Sequence, residues 1–117
     1  MHNFRKLDIW IESKELVKKI YILCDSFLVR EKFGIISQLQ RAVVSIPTNI
    51  AEGSAKTSNK DFSRFLEISL GSSFEVETLL ILSKDLGYVS ENEIEKIGLK
   101  LKNIQKMICN FRIKLRD

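Results

Sequence analysis

Histidine is nearly absent from this chain. The single one, His2, lies at a terminus, where fraying is the rule. One histidine makes no His-based metal pair, and its terminal place argues against a Ser/His/Asp set or a His-activated cysteine. Cysteine is scarce as well. Cys24 and Cys109 are far apart and form no Cys-x-x-Cys spacing, so they read as two small buried thiols in a reducing compartment. The five glycines make neither a Gly-x-Gly-x-x-Gly fingerprint nor a phosphate loop. Long apolar runs are missing: Leu79 through Leu82 is four residues, against the ~20 needed to span a bilayer. The opening MHNFRKLD has no apolar stretch of signal-peptide length. The expectation is a soluble, cytoplasmic protein with no cofactor, no metal, no membrane partner and no identifiable small-molecule substrate.

What is present is helix. With 44% hydrophobic and 29% charged residues, the 117-residue chain has the composition of one globular domain, 1–117. No segment alternates cleanly enough for a strand. Asp8 can open a first helix running to about Phe27, followed by a charged connection through Gly34. A second helix is predicted from about Ile35 to Glu52, with Gly53 as a left-handed C-cap. A third starts at Ser58, with Asp61 in an imperfect capping box, and runs to Leu86, where Gly87 stops it. Ser90 and Glu93 form a full capping box for a fourth helix that continues close to the end. Heptad seams agree: Leu16, Ile20, Leu23 and Phe27; Ile36, Leu39, Val43, Ile46 and Ile50; Ile94, Ile97, Leu101, Ile104, Ile108, Phe111 and Leu115. The third helix carries Phe62, Phe65, Ser69, Ser72, Val76, Leu79, Ser83 and Leu86 on one face. Its serines are small enough to let a neighbour come close. Short loops favour antiparallel neighbours, so the expected fold is all-α, an up-down-up-down four-helix bundle. Pro47, inside the second helix, cannot donate to the Val43 carbonyl and is expected to kink that helix.

The helices carry more than one apolar sector. Leu70, Phe74 and Ile81 lie opposite the main face of the third helix, and Trp10, Val17, Tyr21 and Leu28 form a second stripe on the first. Such stripes suggest a surface covered by another subunit, with Trp10, Tyr21, Leu70, Phe74 and Ile81 as interface candidates. The second helix shows the converse. Gln38, Arg41, Ser45, Thr48, Asn49 and Glu52 line a polar face poor in long flexible charges. These residue types suit a fixed hydrogen-bonded network; an ordinary solvated face is the alternative.

The positive charge is confined to one end. Residues 100–117 hold six basic groups (Lys100, Lys102, Lys106, Arg112, Lys114 and Arg116) and one acid, Asp117. The preceding 99 residues hold thirteen basic and fourteen acidic groups. The basic end could touch nucleic-acid phosphates, RNA or DNA. It also complements the negative end of a helix dipole. The basic residues circle the helix, with no interleaved aromatics and no helix-turn-helix or zinc-finger spacing.

The run from Gln38 to Glu77, QLQRAVVSIPTNIAEGSAKTSNKDFSRFLEISLGSSFEVE, resembles the signature of the bacterial four-helix bundle proteins encoded in intervening sequences of 23S ribosomal RNA genes. That pattern joins Arg41-Ala42, Ser45-Ile46, Asn49-Ile50-Ala51-Glu52-Gly53, Ser58, Phe62, Phe65-Leu66, Gly71-Ser72 and Glu75. Leu7-Asp8-Ile9-Trp10 and Leu86-Gly87-Tyr88 are similar too. Ile68-Ser69-Leu70 departs from it, since the family more often has an alanine before its Gly-Ser. The resemblance implies a bundle that assembles into a ring, usually a pentamer. It also implies kinship with the accessory protein of diversity-generating retroelements, a basic pentamer that binds nucleic acid and a reverse transcriptase. A ribosomal-protein label attaches to the family, and nothing in these residues supports it independently. Three functions then compete: a non-enzymatic ring that binds nucleic acid, a protein-interaction scaffold, and an enzyme built on Arg41, Asn49, Glu52 and Glu75. The residue inventory points to no enzyme. Arg41, Ser45, Asn49, Glu52 and Glu75 are expected to be a structural network before a catalytic one.

Overall fold

The computed structural model describes residues 1–27 and 34–116. The expected connection after Phe27, the stripe residue Leu28 and the acidic Asp117 lie outside the described residues. Four helices follow a 3₁₀ turn at Phe4–Lys6: α1 (Asp8–Cys24), α2 (Ile35–Ser54), α3 (Asn59–Asp85) and α4 (Glu91–Leu115). Among the described residues there is no strand.

The start and stop signals act through identifiable bonds. At Ser90 the side chain accepts from the Glu93 amide at 3.2 Å, and the Ser90 amide donates to Glu93 Oε1 at 3.1 Å. This is the reciprocal capping box. At Ser58 only half of that device is present: its hydroxyl accepts from the Asp61 amide at 3.1 Å. The stop of α3 is a Schellman motif. Gly87 adopts φ +77°, its amide donates to the Lys84 carbonyl, and the Tyr88 amide reaches back to the Ser83 carbonyl, both at 2.9 Å.

Two boundaries differ from the sequence reading. α1 ends at Cys24, three residues before Phe27. The amides of Asp25, Ser26 and Phe27 bond three residues back instead of four, and the Ser26 hydroxyl donates to the Leu23 carbonyl at 2.7 Å. A serine competing for that carbonyl favours the tighter turn. Phe27 still reaches the core. Gly53 is not a left-handed cap. It lies inside α2, which continues to Ser54, and the only positive-φ residue among those described is Gly87. Gly53 is needed because α3 crosses it. A Cβ there would lie 2.7 Å from Phe65 Cβ and 2.8 Å from Phe62 Cδ1. α2 is continuous across Pro47, so the proline does not split it.

The helices form a closed four-membered bundle of 45 × 23 × 20 Å. α1 packs on α2, α2 on α3, α3 on α4, and α4 returns to α1. Leu16, Ile20, Leu39, Val43, Ile46, Ile50, Phe62, Leu66, Val76, Leu101, Ile104 and Ile108 have essentially no exposed surface. Each such aliphatic or aromatic side chain contributes about 1.5–3 kcal/mol on burial. The α2–α3 seam is different in kind, because Ser69, Ser72, Ser73 and Ser83 are buried on α3. The Ser69 hydroxyl donates across to the Ile46 carbonyl at 2.9 Å, and the Ser45 and Ser72 hydroxyls are bonded at 2.8 Å. Ser73 and Ser83 bond to carbonyls of their own helix. Among the described residues no buried side-chain nitrogen or oxygen lacks a partner.

The two kinds of helical glycine should respond oppositely to alanine. Gly53→Ala forces α2 and α3 apart and should cost about 1–3 kcal/mol. Gly98, inside α4, has open space where a Cβ would go. Gly98→Ala should stabilise by up to about 1 kcal/mol through helix propensity. Thermal unfolding of both variants checks the contrast; a Gly53→Ala midpoint equal to the parent's would contradict the close crossing.

Candidate nucleic-acid interface

The basic end of α4 divides into two groups. Lys100 reaches Glu12 of α1 at 2.9 Å, and both side chains are partly buried. Arg112 reaches Glu67 of α3 at 2.9 Å and also donates from Nε to Ser63 Oγ at 3.2 Å. These two cations tie α4 to its neighbours. Lys102, Lys106, Lys114 and Arg116 are exposed, with no side-chain partner among the described residues. They leave the helix in different directions. Lys102 and Lys106 flank a groove shared with Leu70 and Phe74 of α3. Lys114 faces the start of α1, beside Lys6 and Asp8. Arg116 lines a cleft at the end of the bundle.

That cleft, of about 670 Å³, lies between the first two turns of α3 and the last turn of α4. Lys60 and Arg64 line it from α3, Arg112 and Arg116 from α4, and Glu67 is its carboxylate. The Asn59 amide side chain donates to the Leu115 carbonyl at 3.1 Å and holds the two helix ends together. Sequence reasoning missed Lys60 and Arg64, because Asp61 and Glu67 make their stretch nearly neutral. The available signal was topological. An α3 antiparallel to α4 sets the start of one beside the end of the other.

The expected polar network is smaller within one chain than its motif. The Asn49 side-chain amide donates to Ser45 Oγ at 2.9 Å and to the Ser45 carbonyl at 2.8 Å, and Ser45 continues to Ser72. Arg41, Glu52 and Glu75 are exposed, and their side chains join no hydrogen bond or ion pair among the described residues. Among the described residues, hydrogen bonds do not join the side chains of Arg41, Asn49, Glu52 and Glu75 to one another. The five interface candidates divide too. Tyr21, Phe74 and Ile81 are exposed, the last two by about half. Trp10 and Leu70 are half-buried and pack against the core of their own chain. Trp10 also stacks edge-on with Phe4 at 5.1 Å and lies under the Lys14 amine.

The thiols are unlike each other. Cys24 is buried as expected, but Cys109 is exposed, because it falls just past the Ile108 seam position. Burial pushes the Cys24 thiol up to about 11; the Asp25 charge adds to the effect and a hydrogen bond with Gln40 opposes it. Cys24 therefore keeps its proton near neutral pH and offers no thiolate nucleophile. No group of three or more His, Cys, Asp and Glu among the described residues could hold a metal ion. No helix among them is long and apolar enough to cross a membrane.

Comparison with known proteins agrees with this architecture. The family described as 23S rRNA-intervening sequence protein matches residues 5–110, and the chain belongs to that family. Its fold is similar to the crystal structure of a protein with unknown function from the S23 ribosomal protein family of Bacteroides thetaiotaomicron VPI-5482. The two are 29% identical with a TM-score of 0.82, over 89% of this chain and 97% of the other. A comparison with curated proteins finds no match.

Because Ser72 joins Ser45 within one chain, its loss should be felt at every protein concentration. Ser72→Ala should lower stability by about 1 kcal/mol, the usual net value of one hydrogen bond. Denaturant unfolding at two concentrations measures it, and a loss that vanishes on dilution would place the interaction between chains.

Proposed function

We propose that this member of the 23S rRNA-intervening sequence protein family is a non-enzymatic accessory protein that assembles into a ring of identical subunits, a pentamer, and binds nucleic acid through its phosphates. The observation that carries the reading is the set of four exposed cations on α4 and at its C-cap whose side chains have no partner among the described residues: Lys102, Lys106, Lys114 and Arg116. Internal ion pairs already tie down Lys100 and Arg112. Ion pairing within the chain accounts for those two and not for the other four. Phosphate contacts from cations spread around a helix end carry little sequence information. A ring multiplies one weak patch by the number of subunits, so affinity comes from avidity.

Assembly rests on the half-exposed Phe74 and Ile81 and on Tyr21. Leu99 of α4 lines a groove with Ile81, and Ile68 and Leu82 are further exposed apolar side chains of α3. Arg41, Glu52 and Glu75, which lack partners within the chain, are suited to charged contacts between subunits. A protein-interaction scaffold without nucleic acid is the reading that replaces this one if binding fails.

Replacing Lys102, Lys106, Lys114 and Arg116 with glutamine should leave the fold and assembly intact, because none lies on the Ile104–Ile108 seam. Each phosphate contact contributes about 0.7–0.9 to the slope of log affinity against log salt. The parent should bind RNA or DNA with a steep slope, and the variant should lose most of both affinity and slope. Fluorescence anisotropy over a salt series reads this directly. A parent that binds nothing at low salt sinks the nucleic-acid reading.

Phe74→Asp should dissociate the assembly while leaving helicity largely unchanged, since a charge would enter a contact surface and not the bundle core. Light scattering of the parent at micromolar concentration should exceed the 13.5 kDa of one chain. A monomeric parent would overturn the ring.

A further inference from the structure

We infer that the cleft between the start of α3 and the end of α4 is a binding site for a phosphate monoester, the doubly charged end group of a 5′-phosphorylated nucleic acid or of a mononucleotide. In its oligonucleotide form the inference rests on the nucleic-acid reading above. It adds a named site, two residues from a different helix and a ligand class.

Four cations line the cleft against one carboxylate, a net charge of three positive. The carboxylate, Glu67, is held by Arg112 Nη2, and Ser63 takes Arg112 Nε. Those two contacts fix the guanidinium plane and leave its Nη1 without a partner among the described residues. A pre-positioned guanidinium loses less freedom on meeting a phosphate than a free one. Lys60 and Arg116 have no partner among the described residues. Arg64 has only a 4.0 Å approach to Asp61, with both side chains at least half exposed, a geometry worth little. All three can turn toward an anion.

The two helix ends at the cleft bring opposing dipoles, so the side chains set the sign of the field. A monoester dianion matches the net charge better than a backbone diester, which carries a single charge. The Asn59–Leu115 bond ties the helix ends together at the cleft. A chain whose end is held there has a path outward. Lys106 lies roughly 9 Å back along α4 from Arg112, and Lys102 a further ~6 Å, at 1.5 Å per residue.

The test compares two short oligonucleotides of one sequence, 5′-phosphorylated and 5′-hydroxyl, on the full chain. A charge-assisted site predicts about tenfold tighter binding of the phosphorylated form. The variant Lys60→Gln with Arg64→Gln should abolish that preference while keeping the weaker, salt-dependent binding of both. Arg116→Gln is a second, independent variant, and circular dichroism checks that each remains helical. In parallel, inorganic phosphate and adenosine monophosphate are titrated against the labelled protein, with adenosine as control. Both phosphates should shift the amide resonances of residues 59–64, and adenosine should not. Equal binding of the two oligonucleotides overturns the 5′-end form, and the broader nucleic-acid reading survives it. If neither oligonucleotide binds, that broader reading fails. Phosphate-induced shifts at 59–64 then still support the cleft as a mononucleotide site, and their absence overturns it altogether.

Discussion

The structure depends on how closely α2 and α3 approach one another. At Gly53 the two helices meet with no room for a single methyl group, because Phe62 and Phe65 occupy the place of its missing side chain. Farther along, small hydroxyls take over: Ser69 bonds to the Ile46 carbonyl, and Ser72 bonds to Ser45. A bundle seam filled only with leucine and isoleucine holds helices apart by the bulk of its side chains. Here the close crossing removes that spacer at selected points. Polar atoms then lie near enough to pair across the seam, and the pairing offsets the cost of burying them.

The remaining contacts follow from this crossing. With α2 and α3 fixed, the apolar seams of α1 and α4 close the core from the other two sides. α4 is held by charge near its middle, through Lys100 to Glu12, and in its last turn, through Arg112 to Glu67. Part of the positive end of the chain is therefore architecture. The rest remains exposed at the edge of the bundle, and Lys60 and Arg64 of α3 join it at the cleft.

The parts of the fold legible in the sequence were those with local causes. Ser90 and Glu93 cap each other three residues apart, Gly87 reverses the chain through its own φ, and the heptad seams repeat every few residues; all are carried by near neighbours. The misread parts have non-local causes. Gly53 looks like a helix stop from its neighbours alone, and only the position of α3 explains it as a crossing point. Trp10 and Leu70 lie off the main seams, yet both are half-buried against the core of their own chain. Cys109 is one position past a buried residue, and that single step takes it to the surface. At the candidate site the α4 cations were visible as a charge run. Lys60 and Arg64 were hidden by their acidic neighbours, because net charge along a sequence averages over residues that the fold separates. Of the expected network Arg41, Ser45, Asn49, Glu52 and Glu75, the hydrogen bonds within one chain join Ser45 and Asn49 and add Ser72.

The serine-lined seam also bears on the order in which the chain folds. Ser73 and Ser83 satisfy themselves on their own helix, whereas Ser69 and Ser72 have cross-helix partners only 23 and 27 positions away. The Lys100–Glu12 pair that closes α4 onto α1 spans 88. Closing a short loop costs less entropy than closing a long one, and native contacts of small sequence separation form faster. The Gln105–Glu77 bond between α4 and α3 spans 28, so the α2–α3 and α3–α4 hairpins are both cheap to close, and the contact of α1 with α4 closes the longest loop.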